Sequence, residues 1–260
     1  MNDPHVSALV YRVKHDETVN YDKASPLEYE TASFKVSING REARFAMKEH
    51  FATVDQALEV VGPFIRQWEF AVALEHGPGE FALGFLDAVV EDRKPTPGVV
   101  ALKGAFAVGV AGPFSVVVGR GSYPEPPTNV AINADVEEMA LRYSRYREGK
   151  ETLANMAHFC LTVLEGASGA GRVSRRQRRL AMQGKFGIEV SVANTLGDLS
   201  SEKGGLEARK NEGRSHEFTA NERSWLEQAT KRMIRRAAEV AYDPAATASQ
   251  ITMGDLPKLQ

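Results

Sequence analysis

One cysteine, Cys160, stands in 260 residues, so no intramolecular disulfide can form and no cysteine-based zinc cluster can be assembled. No run of 18 apolar residues occurs. The longest candidate, VVALKGAFAVGVAGPFSVVVGR, is broken by Lys103, several glycines and Pro113, and this excludes a membrane-spanning helix. The first residues lack the basic start, long apolar stretch and small-residue cleavage site of a secretory signal, so the sequence predicts a cytoplasmic protein. Also missing are H-E-x-x-H, G-x-x-x-x-G-K-[ST] and G-x-S-x-G, the signatures of zinc proteases, phosphate-gripping loops and α/β-hydrolases. No cofactor-binding signature and no metal-ligand set is read from the chain.

What is present is the composition of a globular protein, 43% hydrophobic and 25% charged. The formal net charge of −2 hides an asymmetry. Residues 1–130 carry 12 basic against 17 acidic side chains, whereas 15 basic face 8 acidic ones between Arg172 and Arg236. Such a basic region can meet a polyanion, and solvated helices carry similar charge.

The patterning predicts an α+β protein: an N-terminal antiparallel β-sheet domain with one long helix, followed by a C-terminal all-α helical bundle. VSALVYRV is a candidate strand, and Asn39-Gly40 between apolar runs predicts a hairpin over residues 29–47 with a type I′ turn. From Thr53 to Gly77 the apolar residues recur at helical spacing, with Pro63 expected to kink or divide the helix. EFALGFLDAVVED, VVALKGAFAVGV and FSVVVGR read as further strands. Three prolines in SYPEPPTN predict an exposed linker at 123–132 between a β-rich domain, 1–122, and a bundle, 133–242. The small, polar composition of 243–260 predicts a tail that is mobile or draped over a surface.

Within the second half, IEVSVANTLGDLS fits either a strand or a helical stripe, and helix is the preferred reading. Thr219 and Glu222 form a T-x-x-E capping box that opens the clearest helix. The loop GASGAG reads as an interhelical connection. Cys160 lies on an apolar helical stripe with His158 pointing away, which predicts a buried thiol. Asp87, Glu91 and Asp92 read as solvated acids at a strand end.

Two constellations carry candidate chemistry. Arg172, Arg175, Arg176, Arg178 and Arg179 place five arginines in eight residues, able to neutralise nucleic-acid phosphates or to form an acid-paired helix face. Arg209 and His216, separated by six residues, stand just ahead of the capping box, where a helix dipole favours an anion. Histidine can move a proton and arginine can stabilise a charged phosphorus centre. An R-x5-H spacing recurs at Arg44 and His50.

A helical second half with an R-x6-H spacing between its last helices resembles the HEPN superfamily of four-helix bundles, many of which are metal-independent ribonucleases. The resemblance implies RNA as the partner, Arg209 and His216 as the catalytic residues, and a homodimer bringing two copies into one cleft. Lys210 stands where that family commonly has a small polar residue. The alternative is a noncatalytic scaffold: a β-rich partner-recognition domain, a helical dimerisation domain, and Arg209 and His216 in a surface loop.

Overall fold

The computed structural model describes residues 1–95, 118–171, 173–202, 217–245 and 249–259. The chain divides into two units, Met1–Val72 with Gly79–Pro126 and Ala73–Pro78 with Pro127–Gln260. The α+β class holds, with an antiparallel sheet and a long helix first and helices after.

Unit 1 contains strands β1 (Pro4–Lys14), β2 (Val19–Asn20), β3 (Leu27–Glu30), β4 (Phe34–Asn39) and β5 (Glu42–Met47), then most of helix α1 (Val54–His76), strand β6 (Ala82–Asp92) and strand β7 (Val118–Gly119). Five strands form an antiparallel sheet in the order β3-β4-β5-β1-β6, while β2 and β7 pair in parallel. Alternation sorts the faces. Phe34, Val36 and Ile38 of β4 are buried with Ala43 and Phe45 of β5, in one cluster with Ala57, Val61, Ile65 and Trp68 of α1. The calls at VVALKGAFAVGV and at most of FSVVVGR lie outside the described residues.

The hairpin forms, but its turn differs from the expected one. Asn39 pairs with Glu42, so Gly40 and Arg41 are the central residues. Gly40 takes a φ of 60°, and no non-glycine residue described has a positive φ, which rules out a type I′ turn and fits glycine at the first position of a II′ turn. Residues 31–33 further separate β3 from β4, which sequence merges into one run.

Pro63 does not divide α1, which runs unbroken from Val54 to His76. Both Pro63 and Glu59 are exposed, so the carbonyl that loses its amide partner faces water. The proline segment is more tightly held than an open linker. Tyr123 and Pro126 are buried, the Tyr123 hydroxyl donates to the Gly40 carbonyl, and Trp68 Nε1 donates to the Pro124 carbonyl at 3.1 Å.

Unit 1 also predicts an acid sensitivity. His5 is 8% exposed, its Nδ1 has no hydrogen-bond partner among the described residues, and its ring stacks on His50 at 5.2 Å. Burial first, then Arg93 and His50, lower its pKa below the ordinary 6.5, against the raising influence of Glu91 and Asp3. As pH falls through 6.5 the unfolded chain takes up this proton before the folded one, so stability present at neutral pH is lost toward the depressed folded pKa. Urea midpoints at pH 7.5 and 5.5 should therefore differ more for the parent than for His5→Gln. Equal differences would remove His5 from the account.

Unit 2 is built on helices α2 (Ala134–Arg147), α3 (Leu153–Ala167), α4 (Arg175–Phe186), α5 (Val190–Glu202) and α6 (Ala220–Tyr242). Each of four helix starts is fixed by a side chain, with Asn133, Thr152, Ser174 and Thr219 accepting from the first-turn amides of α2, α3, α4 and α6. Helix α3 is the hub. Its Leu153, Met156, Cys160 and Leu164 are buried, and it packs against α2, α4, α5 and α6. The ambiguous IEVSVANTLGDLS is helical from Val190, because Val192, Leu196 and Leu199 share a buried stripe; Ile188 instead makes a bridge to Ile251.

That bridge seats the described part of the tail within unit 2. Ile251 donates its amide to the Gly187 carbonyl at 2.8 Å and accepts from Glu189 at 3.0 Å, while Ile251 and Leu256 are buried. Arg236, 7% exposed, ties the arrangement by donating to the Phe186 carbonyl at 3.0 Å and the Ser249 carbonyl at 2.7 Å. Two apolar side chains in a polar segment suffice as anchors once a buried guanidinium supplies backbone contacts.

Candidate nucleic-acid interface

Arg209, His216 and Arg172 lie outside the described residues. The frame beside the first two is described: Thr219 Oγ1 accepts from the Glu222 amide at 3.2 Å, and the Glu222 carboxylate accepts from the Thr219 amide at 3.0 Å. Helix α6 thus begins at Ala220 under a closed capping box.

The remaining arginines of the basic run lie on the first turns of α4, where helical spacing sends them to different surroundings. Arg179 is 2% exposed. Its Nε donates to Glu165 Oε1 at 3.1 Å and its Nη1 to Asn194 Oδ1. Burial is the first influence on its pKa, lowering it against the raising effect of Glu165. Arg178 shares the same carboxylate, donating from Nε to Glu165 Oε2 at 3.2 Å, and reaches the Val173 carbonyl at 3.0 Å. Arg175 pairs with Asp198 at 3.2 Å. Arg176 is exposed and has no acidic partner among the described residues.

Glycine at position 197 allows this arrangement. A Cβ there would collide with the Arg179 guanidinium and come within 2.6 Å of that of Arg175 and 3.3 Å of Leu161. The two guanidinium groups, one turn apart on α4, therefore cross the bare backbone of α5. Arg179 holds α3, α4 and α5 together and offers no free donor face to a phosphate. Arg176 and the half-exposed Arg175 can still meet an anion.

A polar cluster on α2 and α6 went unread in the sequence. The Tyr143 and Tyr146 hydroxyls donate to the two oxygens of Glu227 at 3.4 and 3.2 Å, and Arg147 donates to the Tyr143 hydroxyl at 3.1 Å. Burial pushes the Tyr143 phenol up to about 12, with Arg147 opposing and Glu227 adding to the rise, and burial likewise raises Tyr146. Both phenols keep their protons at neutral pH and serve as donors. The i, i+3, i+4 spacing of Tyr143, Tyr146 and Arg147 is the only sequence signal that marks them as one face.

Searched against family models, curated proteins and solved structures, the chain gives no significant match. Its own side chains therefore carry the argument. Cys160 is fully buried and burial raises its thiol pKa, while His158 contacts the Ser200 and Ser201 hydroxyls at 3.4 Å each. Such a thiol is a poor nucleophile. The Asp92 carboxylate accepts from the Asn2, Asp3 and Lys94 amides at 2.9 to 3.0 Å, so it organises backbone at the end of β6. Among the described residues no group of three or more His, Cys, Asp or Glu side chains is placed to hold a metal ion.

The division of roles within the basic run is measurable. If α4 contacts a nucleic-acid backbone, Arg175→Gln with Arg176→Gln should weaken RNA binding for every sequence tested and lower the salt slope by about 1 per lost contact. An unchanged affinity and slope would clear α4 of that role.

Proposed function

We propose that unit 2 is a HEPN-like RNA-binding module and that Arg209 and His216 give it metal-independent endoribonuclease activity. The observation that carries the reading is the position of the pair along the chain. Helix α6 starts under the Thr219 capping box, and His216 stands three residues before that cap in the sequence. A helix N-terminus favours the phosphate anion that a ribonuclease must hold.

In this reading His216 removes the 2′-hydroxyl proton of one ribose. The 2′-oxygen then bonds to the adjacent phosphorus while the bond from phosphorus to the 5′-oxygen breaks. A proton from the second His216 of a dimer goes to the departing 5′-oxygen, and Arg209 offsets the charge gathering on the nonbridging oxygens. The products are a 2′,3′-cyclic phosphate and a 5′-hydroxyl. Incubating the protein with single-stranded RNA in chelator tests the chemistry: cyclic-phosphate ends are expected, whereas ends with a free 3′-hydroxyl would point to water as the nucleophile and remove the assignment.

The noncatalytic scaffold is the second reading. It is favoured by the fate of the basic run, since Arg178 and Arg179 close on Glu165 and Arg175 closes on Asp198 within the same unit. A protein that dimerises yet neither binds nor cuts RNA would decide for it.

A further inference from the structure

We infer that the outer face of α6 carries a binding site for a small phosphate-bearing anion, of the inorganic pyrophosphate or nucleoside diphosphate class. The inference does not rest on the ribonuclease reading. A cavity of about 330 Å³ opens in unit 2 along Gln228, Lys231, Arg232 and Arg235, residues that follow one another on a single helical face. Such a volume suits a small ligand. The buried Arg236 also lines it, Glu75 and Glu239 contribute acid, and Ile251 of the docked tail completes the lining.

Four cationic side chains thus meet two carboxylates in one concavity. Their pairings are unequal. Arg236 is fixed by backbone carbonyls and by Glu239 at 2.9 Å, so it forms part of the lining and is no free donor. Lys231 is held at the end of α1, donating to the Glu75 carbonyl at 3.3 Å with the Glu75 carboxylate at 3.9 Å. Arg235 lies 2.8 Å from Glu75 and 3.3 Å from Glu239, yet its side chain is 57% exposed. Exposed pairs of this kind exchange partners readily. Arg232 is exposed and makes no hydrogen bond or ion pair among the described residues, Asp255 being the acid whose field it feels.

The unfilled capacity therefore belongs to Arg232 and Arg235, one turn apart, whose planar forks match phosphate oxygens in pairs. A multiply charged diphosphate can bridge both and take Arg235 from Glu75, whereas a neutral ligand would leave the excess cation uncompensated. Lys231, at 14% side-chain exposure, adds a point charge beneath them. A long single strand would need cations continued beyond the cavity and bases stacked on aromatic side chains, and among the described residues no aromatic side chain lines it. The observations favour the small anion.

Calorimetric titration of the full chain with inorganic pyrophosphate and, separately, adenosine diphosphate tests the site. Saturable binding of either at one site per chain is expected, the tighter of the two telling whether the free anion or the ester is the better fit, and saturating ligand should raise the melting temperature. Arg232→Gln with Arg235→Gln should weaken binding 10-fold or more, while Arg41→Gln in the exposed hairpin turn of unit 1 leaves it unchanged. Arg232→Lys with Arg235→Lys keeps the charge but loses the forks, and an intermediate affinity is expected. No saturable binding of either ligand overturns the assignment. So does binding indifferent to both pairs of substitutions, or loss through these substitutions of an oligoribonucleotide alone with no diphosphate binding.

Discussion

On the ribonuclease reading, His216→Ala should lower RNA cleavage by roughly 10²-fold or more while leaving the thermal midpoint nearly unchanged, because a proton-transfer group acts on the transition state. Arg209→Ala should lose a similar factor, since removing a donor from a developing oxyanion typically costs 10²- to 10³-fold. His50→Ala is the matched control. His50 belongs to the R-x5-H spacing with Arg44, but it lies against His5 with Asp3 at 3.7 Å, a setting within unit 1 that explains its presence without catalysis. If the His216 variant cuts as fast as the parent, or the His50 variant is equally impaired, the assignment of the pair is wrong. A mixed dimer of parent and His216→Ala chains adds a sharper test of the shared-cleft reading: because the cleft uses both histidines, it should lose well over half of the parent rate, whereas independent sites would keep half.

The largest expected effect on folding lies at Glu165. This carboxylate, 12% exposed, receives both Arg178 and Arg179, and Glu165→Ala would strand the Arg179 guanidinium in the interior with Asn194 as its remaining hydrogen-bond partner among the described residues. Breaking one side of a buried pair typically costs about 3 to 5 kcal/mol, because the remaining charge has lost its water and gained nothing. A fall of roughly 10 °C in the melting temperature of unit 2 is the corresponding thermal readout. Gly197→Ala should act in the same direction by pushing the guanidinium off its partners. Arg175→Gln, which removes only the half-exposed pair to Asp198, should change stability by less than about 1 kcal/mol. If all three variants melt alike, the Arg179 junction does not hold the helices together.

Local rules read well where one chemical preference decides. Thr219 with Glu222 fixed a helix start, the alternation in FKVSIN gave β4, and the apolar spacing from Leu153 to Leu164 marked the buried face of α3. The turn at Gly40 differs from the Asn-Gly expectation because register across the pair Asn39 and Glu42 moves the centre by one residue. Sequence alone leaves Pro63 between a kink and a break, since it does not say which face of a helix meets water. The arginine run shows the deeper limit. Arg176 and Arg179 are chemically identical and three residues apart, yet one is exposed and the other buried, a distinction made by Glu165, Asn194 and Gly197 on two other helices. The cavity on α6 was illegible for the same reason, since its acids come from the end of α1 as well as from α6 itself.

The seating of Ile251 against Gly187 and Glu189 sets an order for synthesis. Strands and helix of unit 1 find their partners once residues up to Tyr123 and Pro126 have emerged, so that core can consolidate early. Helix α3 meets α2 as it is made, but its neighbour α6 and the Arg236 contacts with Phe186 and Ser249 follow only after α4 and α5. At about 5 to 20 residues per second the ribosome leaves the side of α3 that packs on α6 waiting for several seconds. That interval is when chaperone capture and pairing with a neighbouring nascent chain compete with correct closure, and codons that slow passage through α4 and α5 would lengthen it.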